Sequence, residues 1–256
     1  MRRSLFFHEV RAQQRIFWRS REAAFFTFLL PIIFLVLLGS IYGDRDTIGG
    51  VKAGTYLLAG LLGYGIVSTA FAGLAIQLVV RRESGVLKRV RGTPLPPRVY
   101  LAAVIGSTLL VIGLEAVIQL LIGRFLINAD LPQSPGAFVF TLLLGTVAFG
   151  ALGLALTGLV KSAEGSSAIV NAIYLPMVFV SGVFWSTESM PQFLRAIAAV
   201  LPLTYLLELM RHVFLDENAL SKSAGAIAAV SVWGAAGLVL ALRMFRWEPR
   251  EGMSGS

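Results

Sequence analysis

Cysteine is absent from the 256-residue chain, and the two histidines are His8 and His212. Without cysteine the chain forms neither a disulfide framework nor a thiolate metal site. The histidines are far apart in the sequence and no HExxH-like pair exists, which excludes the helical zinc motif of metalloproteases. We therefore expect no metal site in this chain.

Charge is also scarce. Charged residues make up 14% of the chain and hydrophobic residues 56%, with a mean hydropathy of +0.77, whereas an ordinary soluble domain is about 25% charged. The apolar residues come in runs, and a helix needs about 20 of them to cross a bilayer. Six such runs and their connectors take up the sequence and leave no length for a separate soluble domain. The predicted fold class is an all-α membrane protein with six transmembrane helices.

These runs define one transmembrane domain over residues 1–256. The predicted spans are residues 23–43, 55–79, 99–127, 136–160, 166–187 and 224–243, followed by a polar tail over residues 244–256. Before the first span, residues 1–22 carry Arg11, Arg15 and Arg19 at four-residue spacing. This spacing places the arginines on one helix face and favours an amphipathic helix in the membrane interface. A disordered basic leader is the alternative.

The stretch 188–222 differs from the spans because it is semi-apolar and interrupted by Pro191 and Pro202. Its apolar pieces are too short to cross a bilayer. Short re-entrant helices that dip into the outer leaflet fit best, and protein must cover their irregular backbone. Glu208 and Arg211, three residues apart in this stretch, predict a local ion pair.

Positive charge is distributed unevenly between the two sides of the predicted bundle. Of the 22 Lys and Arg residues, sixteen precede the first span, follow the last, or lie between spans two and three or four and five. The richer side of a membrane protein faces the cytosol, so both termini are predicted to be cytosolic. Because topology explains the net charge of +8, we expect no nucleic-acid partner.

The most basic loop, residues 80–98, reads VRRESGVLKRVRGTPLPPR. Val86, Leu87 and Val90 predict one apolar face of a short helix, with basic residues on its other faces, and Gly92 ends it. The pattern alone leaves two interpretations open. The loop either enforces topology and contacts lipid headgroups, or it forms an elbow that docks on a cytosolic motor.

A family resemblance favours the second interpretation. Residues 85–96, GVLKRVRGTPLP, resemble the segment after the second span of ABC-2 type transporter permeases. Residues 181–191, SGVFWSTESMP, resemble the end of that family's fifth span, and residues 201–211, LPLTYLLELMR, resemble its Pro-x-Thr…Arg stretch before the last span. The three motifs occur in the family's order, within a six-span layout that covers almost the whole chain.

The resemblance implies the membrane subunit of a bacterial ABC exporter of the drug or natural-product type, located in the plasma (inner) membrane. Two copies, or one copy and a paralogue, would pair with two copies of a separate ATP-binding subunit. ATP and Mg²⁺ would be bound in that partner, so this chain would bind no cofactor and would not itself be an enzyme. Residues 81–91 would form the coupling helix. The residues that would couple to the ATPase are Gly85, Val86, Leu87, Lys88, Arg89, Val90 and Arg91.

The resemblance also assigns the short extracellular helices to a cap over the exit. The cap or gate residues would be Phe184, Trp185, Pro191, Pro202, Thr204, Tyr205, Glu208 and Arg211. A second set of side chains interrupts or lines the spans and provides candidates for the substrate path. These candidates are Phe71, Gln77, Glu115, Gln119, Asn171, Tyr174 and Phe179. Polar residues in spans often bridge helices instead, and aromatic residues often only pack.

Glu115 and Gln119 lie four residues apart in the third span and therefore share a helix face. A carboxylate at this depth is costly and faces protein or water. Glu115 either senses protons or a cationic substrate, or makes a structural hydrogen bond to a neighbouring helix. The second alternative is favoured because a single carboxylate makes no proton relay.

The function expected from the whole sequence is ATP-driven export of an amphipathic drug, natural product or lipid-like molecule. A polysaccharide or glycolipid exporter of the same superfamily is an alternative, although no aromatic-plus-polar track is evident in the sequence. A membrane-embedded enzyme would need a cluster of acids, His or Ser near one leaflet, and none is evident. A passive channel is the remaining alternative.

Overall fold

The computed structural model describes residues 2–42, 46–160 and 162–245, and these are almost entirely helical. The sequence predictions that lie outside the described residues concern the tail from residue 246 onward, Arg45, Lys161 and the side chains of Arg2 and Arg3. The helices are α1 (Arg2–Arg19), α2 (Arg21–Ile41), α3 (Ala53–Ile66), α4 (Leu74–Glu83), α5 (Val86–Arg91), α6 (Pro97–Leu126), α7 (Pro135–Thr157), α8 (Ala163–Val180), α9 (Gln192–Ala198), α10 (Pro202–Leu215), α11 (Ala219–Lys222) and α12 (Ala224–Met244).

Two short elements complete the fold between the helices. A hairpin of β1 (Thr47–Ile48) and β2 (Val51–Lys52) pairs antiparallel between α2 and α3. A single 3₁₀ turn, Thr187–Ser189, precedes α9.

Six helices in the described part of the chain are long and apolar enough to cross a membrane, which confirms the predicted fold class. They are α2, the continuous helix Ala53–Glu83, α6, α7, α8 and α12. The helix Ala53–Glu83, which we call the central span, is 31 residues long and extends four residues beyond the predicted end at residue 79. The pair α9 and α10 bends by 83° and provides the short helices expected over 188–222.

The central span holds the bundle together because most of its apolar stretch is buried. Between α3 and α4 it contains a π-helical segment, Val67–Gly73, which the sequence pattern did not predict. This segment lies directly against α7, where a Cβ added to Gly153 would be 2.8 Å from the Ala70 carbonyl oxygen. Mid-helix π segments are rare and occur frequently at functional sites.

Glycines also bring α7 and α12 into close contact. A Cβ added to Gly234 would lie 3.0 Å from Ala148 Cα, and one added to Gly237 would lie 2.8 Å from the Leu152 backbone nitrogen. Small residues let membrane helices approach this closely, where van der Waals packing rather than hydrophobic burial holds them together. The two helices therefore form a closely packed pair beside the central span.

The bundle has two distinct ends. The α5 end carries α1, α5, the α7–α8 turn and the last residues of α12, and the α10 end carries the β-hairpin and α9–α11. At the α5 end, α1 packs along α6, where Gln14 Nε2 donates to the Ser107 carbonyl oxygen over 2.8 Å. The amphipathic segment is thus a packed helix in the structure rather than a disordered leader.

Candidate functional site

The elbow after the central span is a tight turn followed by a short helix. The central span ends at Glu83, and Gly85 then adopts φ +72°, a left-handed conformation that glycine reaches at little cost. No atom lies within 4 Å of a Cβ built at Gly85. Glycine is therefore favoured here by the backbone conformation and not by a lack of space for a side chain. Helix α5 begins at Val86 and contains six residues. The predicted helix over 81–91 is therefore divided in two, because Arg81 and Arg82 belong to the central span.

Helix α5 is anchored by one side and exposed on the other. Leu87 is fully buried in an apolar cluster that includes Leu78 of the central span and Tyr100 of α6. The basic side chains Lys88 and Arg89, together with Arg91, are exposed. The helix thus offers three cations at the α5 end while its leucine is held in the core.

A cavity of about 510 Å³ lies between α1, α2, α6, α8 and the π segment. Among the described residues that line it, none is Asp, Glu, Lys, Arg or His. The polar lining consists of Gln13, Ser20, Thr27, Tyr64, Ser68, Thr69, Gln77, Ser107, Thr108, Asn171 and Tyr174. The remaining lining is apolar, including Phe17 and Phe26. Such a site suits a ligand that has hydrogen-bonding groups but no net charge.

The structure brings some of the predicted path residues together and separates others. Gln77, Asn171 and Tyr174 all line the cavity. Phe71 is instead buried in the π segment, where a Cβ added to Gly153 would lie 2.9 Å from the Phe71 carbonyl oxygen. Phe71 is therefore a packing residue at the contact with α7.

Glu115 and Gln119 lie beside the cavity rather than in its wall. Gln119 Nε2 donates to Glu115 Oε1 over 3.0 Å, and both side chains are buried. The carboxylate lies so close to the central span that a Cβ added to Gly65 would be 2.2 Å from Glu115 Oε1. Within the described residues, Glu115 Oε2 has no hydrogen-bond partner. This packing agrees with a structural role.

A Glu115→Gln variant is expected to transport at the parental rate with an unchanged pH profile. The amide has the shape of the carboxylate and keeps an oxygen to accept the hydrogen bond from Gln119. The comparison is transport by the two proteins across a pH series in proteoliposomes. A flattened pH profile in the variant would instead assign proton sensing to Glu115.

Six aromatic rings connect the cavity to the α10 end. In order from the cavity they are Tyr174, Tyr64, Phe34, Phe184, Phe179 and Trp185. Successive ring centroids are between 5.5 and 6.4 Å apart. The sequence did not reveal this series, because its members come from three separate spans and the segment after α8. Most of the rings pack against one another, so they form a contact series and not an open channel.

At the α10 end, Arg211 joins α10 to the segment after α8. Its guanidinium donates to the Gly182 carbonyl oxygen and lies 4.0 Å from the Tyr56 ring centroid. Tyr56 donates to the carbonyl oxygens of Gly182 and Trp185 over 3.1 and 2.9 Å. Among the described residues no direct ion pair between Glu208 and Arg211 is seen, although Glu208 still attracts the guanidinium electrostatically. Glu208 is exposed, and the direct partner of Arg211 is the Gly182 carbonyl oxygen.

The other predicted cap residues shape the short helices. Pro191 and Pro202 lie at the starts of α9 and α10. A backbone N–H at this position has no partner within the helix, so proline costs no hydrogen bond there. Tyr205 donates to the Ala199 carbonyl oxygen over 2.6 Å and so fastens α10 to α9. Thr204 lies in the first turn of α10. After α10, a hydrogen bond from Lys222 lowers the pKa of the half-buried Asp216 carboxyl.

Comparison with known proteins decides the family. The model of the ABC-2 type transporter family matches residues 4–215. The chain belongs to this family. It is thus a transport permease subunit and an integral membrane protein, and the resemblance read from its three motifs is confirmed.

Relatives of the permease have similar lengths and low identity. The putative transport permease YvfS of Bacillus subtilis is 26% identical over 195 residues, which cover 75% of this chain and 78% of the relative. The inner membrane transport permease YadH of Escherichia coli is 24% identical over 190 residues, or 73% and 72% of the two chains. The putative transport permease ycf38 of Porphyra purpurea is 27% identical over 217 residues, or 80% and 73%.

Several cavity residues of the permease were missed in the sequence. Gln13, Tyr64, Thr69, Ser107 and Thr108 line the cavity but were not predicted to. The signal that was available is polarity inside an apolar run, as at Ser107 and Thr108 near the middle of α6. That signal does not distinguish a cavity wall from a helix contact, since both satisfy the same hydroxyl groups.

Proposed function

We propose that this permease is the membrane subunit of an ATP-driven exporter that moves amphipathic molecules out of the cytosol or the inner leaflet. The observation that carries the proposal is the construction of α5. Leu87 holds the helix in the core beneath the central span, and three cations face outward. A helix anchored in this way can receive force from a partner and pass it to the span that borders the cavity.

The partner that fits is a separate ABC ATPase, as membership of the family implies. Two copies of the ATPase would bind ATP and Mg²⁺ and dock on α5 of two permease copies, or of one copy and a paralogue. This arrangement places the α5 end in the cytosol of a bacterium, with α1 along the inner face of its plasma membrane. The excess of Lys and Arg on this side of the bundle supports that orientation.

A second permease copy is supported by the outer face of α8. Asn171 is exposed near the middle of this 18-residue span and borders the cavity. A polar side chain at that depth is costly against lipid and usually faces protein or water. A second subunit on this face of α8 would shield Asn171 and close the side of the cavity.

The lining of the cavity defines the proposed substrate class. Hydroxyl and amide groups surround the cavity with no fixed charge to neutralise an ion. Burying an unpaired ion there would be far costlier than burying an uncharged polar group that finds hydrogen bonds. The substrate is therefore an uncharged amphiphile, such as a neutral natural product or a lipid with an uncharged headgroup. The aromatic series would become a route for its apolar part toward the α10 end only if the rings separate during transport.

Filling the cavity is expected to weaken substrate binding. Ser68 lies in the π segment and lines the cavity, so Ser68→Trp places a large ring inside it. We expect the concentration of a short-chain glycolipid with an uncharged sugar headgroup that half-stimulates ATPase activity to rise at least about tenfold, which corresponds to about 1.4 kcal/mol.

The matched control introduces the same ring on the outside of the bundle. Leu110 in α6 is 56% exposed, so Leu110→Trp is expected to leave the half-stimulating concentration unchanged. A cationic amphiphile of equal chain length tests the charge argument and is expected to stimulate less than the glycolipid. Equal responses of Ser68→Trp and the parent would remove the cavity from the transport route.

A further inference from the structure

Three consecutive charged residues end the central span, and each binds a different part of the bundle. They are Arg81, Arg82 and Glu83, directly before the turn into α5. The sequence analysis placed them in the basic elbow, but Arg81 and Arg82 are only 8% and 5% exposed. Burial of two adjacent arginines is costly and needs specific partners.

Arg81 binds α1 and α6. Its Nη1 donates to Gln13 Oε1 over 2.6 Å and to the Tyr100 hydroxyl over 3.2 Å. Gln13 also donates from Nε2 to Glu9 Oε1 over 2.6 Å, so Gln13 connects the Glu9 carboxylate to the guanidinium. The bond ties the central span to α1, the helix that covers the cavity at the α5 end.

Arg82 caps the end of α7. Its two terminal nitrogens donate to the carbonyl oxygens of Thr157 and Val160 over 2.7 and 2.6 Å. The last carbonyls of a helix lack helical partners and carry partial negative charge, so a guanidinium is well matched to them. Because α7 is packed closely with α12 and neither helix lines the cavity, this bond ties the central span to the part of the bundle away from the cavity.

Glu83 binds the start of α8. Its carboxylate Oε2 accepts from the backbone N–H of Ala163, the first residue of that helix. The first N–H groups of a helix lack helical partners and carry partial positive charge, which a carboxylate stabilises. Helix α8 supplies Asn171 and Tyr174 to the cavity wall.

We infer that Arg81, Arg82 and Glu83 form a transmission joint that distributes movement of α5 to separate helices. Arg81 and Glu83 move two cavity walls, α1 and α8, while Arg82 keeps the end of the span fixed to α7. The inference rests on the proposed coupling through α5, and it assigns these residues positioning roles. All three side chains make charge-assisted hydrogen bonds, which are roughly twice as strong as neutral ones, and the bonds of Arg81 and Arg82 are buried.

If these residues form a joint, substituting one of them changes the movement of one particular helix. A residue needed only for stability would not act on a single helix. Because the chain has no cysteine, single cysteines can carry an environment-sensitive fluorophore without background labelling. Exposed positions suited to this are Arg15 on α1, Ala172 on α8 and Val232 on α12. The experiment compares fluorescence of the labelled permease–ATPase complex in nanodiscs without nucleotide and after trapping with ATP and vanadate.

In the parent, labels on α1 and α8 are expected to respond to trapping, and the label on α12 is not. Glu83→Ala is expected to lose the α8 response and keep the α1 response. Glu83→Gln, whose amide oxygen still accepts from Ala163, is expected to restore it. Arg81→Met, which retains an unbranched apolar stem, is expected to lose the α1 response and keep the α8 response.

Glu83 is exposed, so its variants are expected to assemble normally. The joint would be overturned if the α1 and α8 labels responded in Glu83→Ala as they do in the parent. It would also be overturned if each variant lost both responses equally. If the complex forms and hydrolyses ATP while giving either of these results, the proposed function still stands. Failure of the parent chain to form any complex would instead count against the proposed function itself.

Discussion

Arg89→Glu is expected to abolish permease-stimulated ATP hydrolysis while the permease remains inserted and folded. Arg89 is exposed on α5, and its contact within the chain is a long 3.5 Å bond to the Ser84 carbonyl oxygen. The proposed ATPase would present an acidic surface to the cations of α5. Reversing the charge of Arg89 would place like charges across that interface, which costs several kcal/mol. We expect the affinity for the ATPase to fall roughly 100-fold or more, since each 1.4 kcal/mol is about tenfold.

The control for Arg89→Glu is the same change at the opposite end. Arg124 is exposed near the end of α6 at the α10 end, so Arg124→Glu is expected to keep parental binding and ATPase stimulation. Titration of immobilised permease with the ATPase measures both variants. Parental affinity in Arg89→Glu would exclude α5 as the docking element. Leu87 is a poorer test position because a charge at its fully buried site would disturb the core.

The second large effect is expected from a single added methyl group. A Cβ at Gly60 would lie 2.2 Å from the Val183 carbonyl oxygen. The obstacle is backbone in the segment after α8, so it cannot turn aside as a flexible side chain would. We expect Gly60→Ala to lower the free energy of unfolding by about 1–3 kcal/mol, the usual cost of overpacking, despite the higher helix propensity of alanine. Thermal unfolding in detergent micelles measures the change.

Gly113→Ala is the matched control. Gly113 also lies inside a helix, α6, but no atom is within 4 Å of a Cβ built there. Alanine is favoured over glycine in helices by up to about 1 kcal/mol, so this variant is expected to be as stable as the parent or more stable. Equal stability of Gly60→Ala and Gly113→Ala would contradict the close contact between the central span and the segment after α8.

The spans were predictable because crossing a bilayer imposes a length on every apolar run. The burial of Arg81 and Arg82 was not, since basic residues at the end of a span usually face water or headgroups. Arg81 finds its partners in Gln13 and Tyr100, and Arg82 finds carbonyl groups near the end of α7 about 75 residues later. No local pattern reveals these partners. Arg211 shows the same limit: its neighbour Glu208 predicted an ion pair, whereas the fold offered Gly182 and Tyr56.

The cavity depends even more on tertiary structure. Its polar lining comes from α1, α2, the central span, α6 and α8, and each residue alone has the pattern of a helix contact. The π segment that forms one wall has no local sequence signature comparable to a cap or a turn. Gln77, Asn171 and Tyr174, chosen because polarity within a span is costly wherever it occurs, do line the cavity. Their place on a substrate path stays a prediction.

The most direct test of the central claim is purification of the tagged permease with its cognate ATP-binding subunit, followed by ATPase measurement of the complex in lipid nanodiscs. The account predicts a stable complex whose ATPase activity exceeds that of the free subunit and is lost in Arg89→Glu. A permease that purifies alone and leaves the activity of the ATP-binding subunit unchanged would contradict it and would favour a passive channel or a membrane-embedded enzyme.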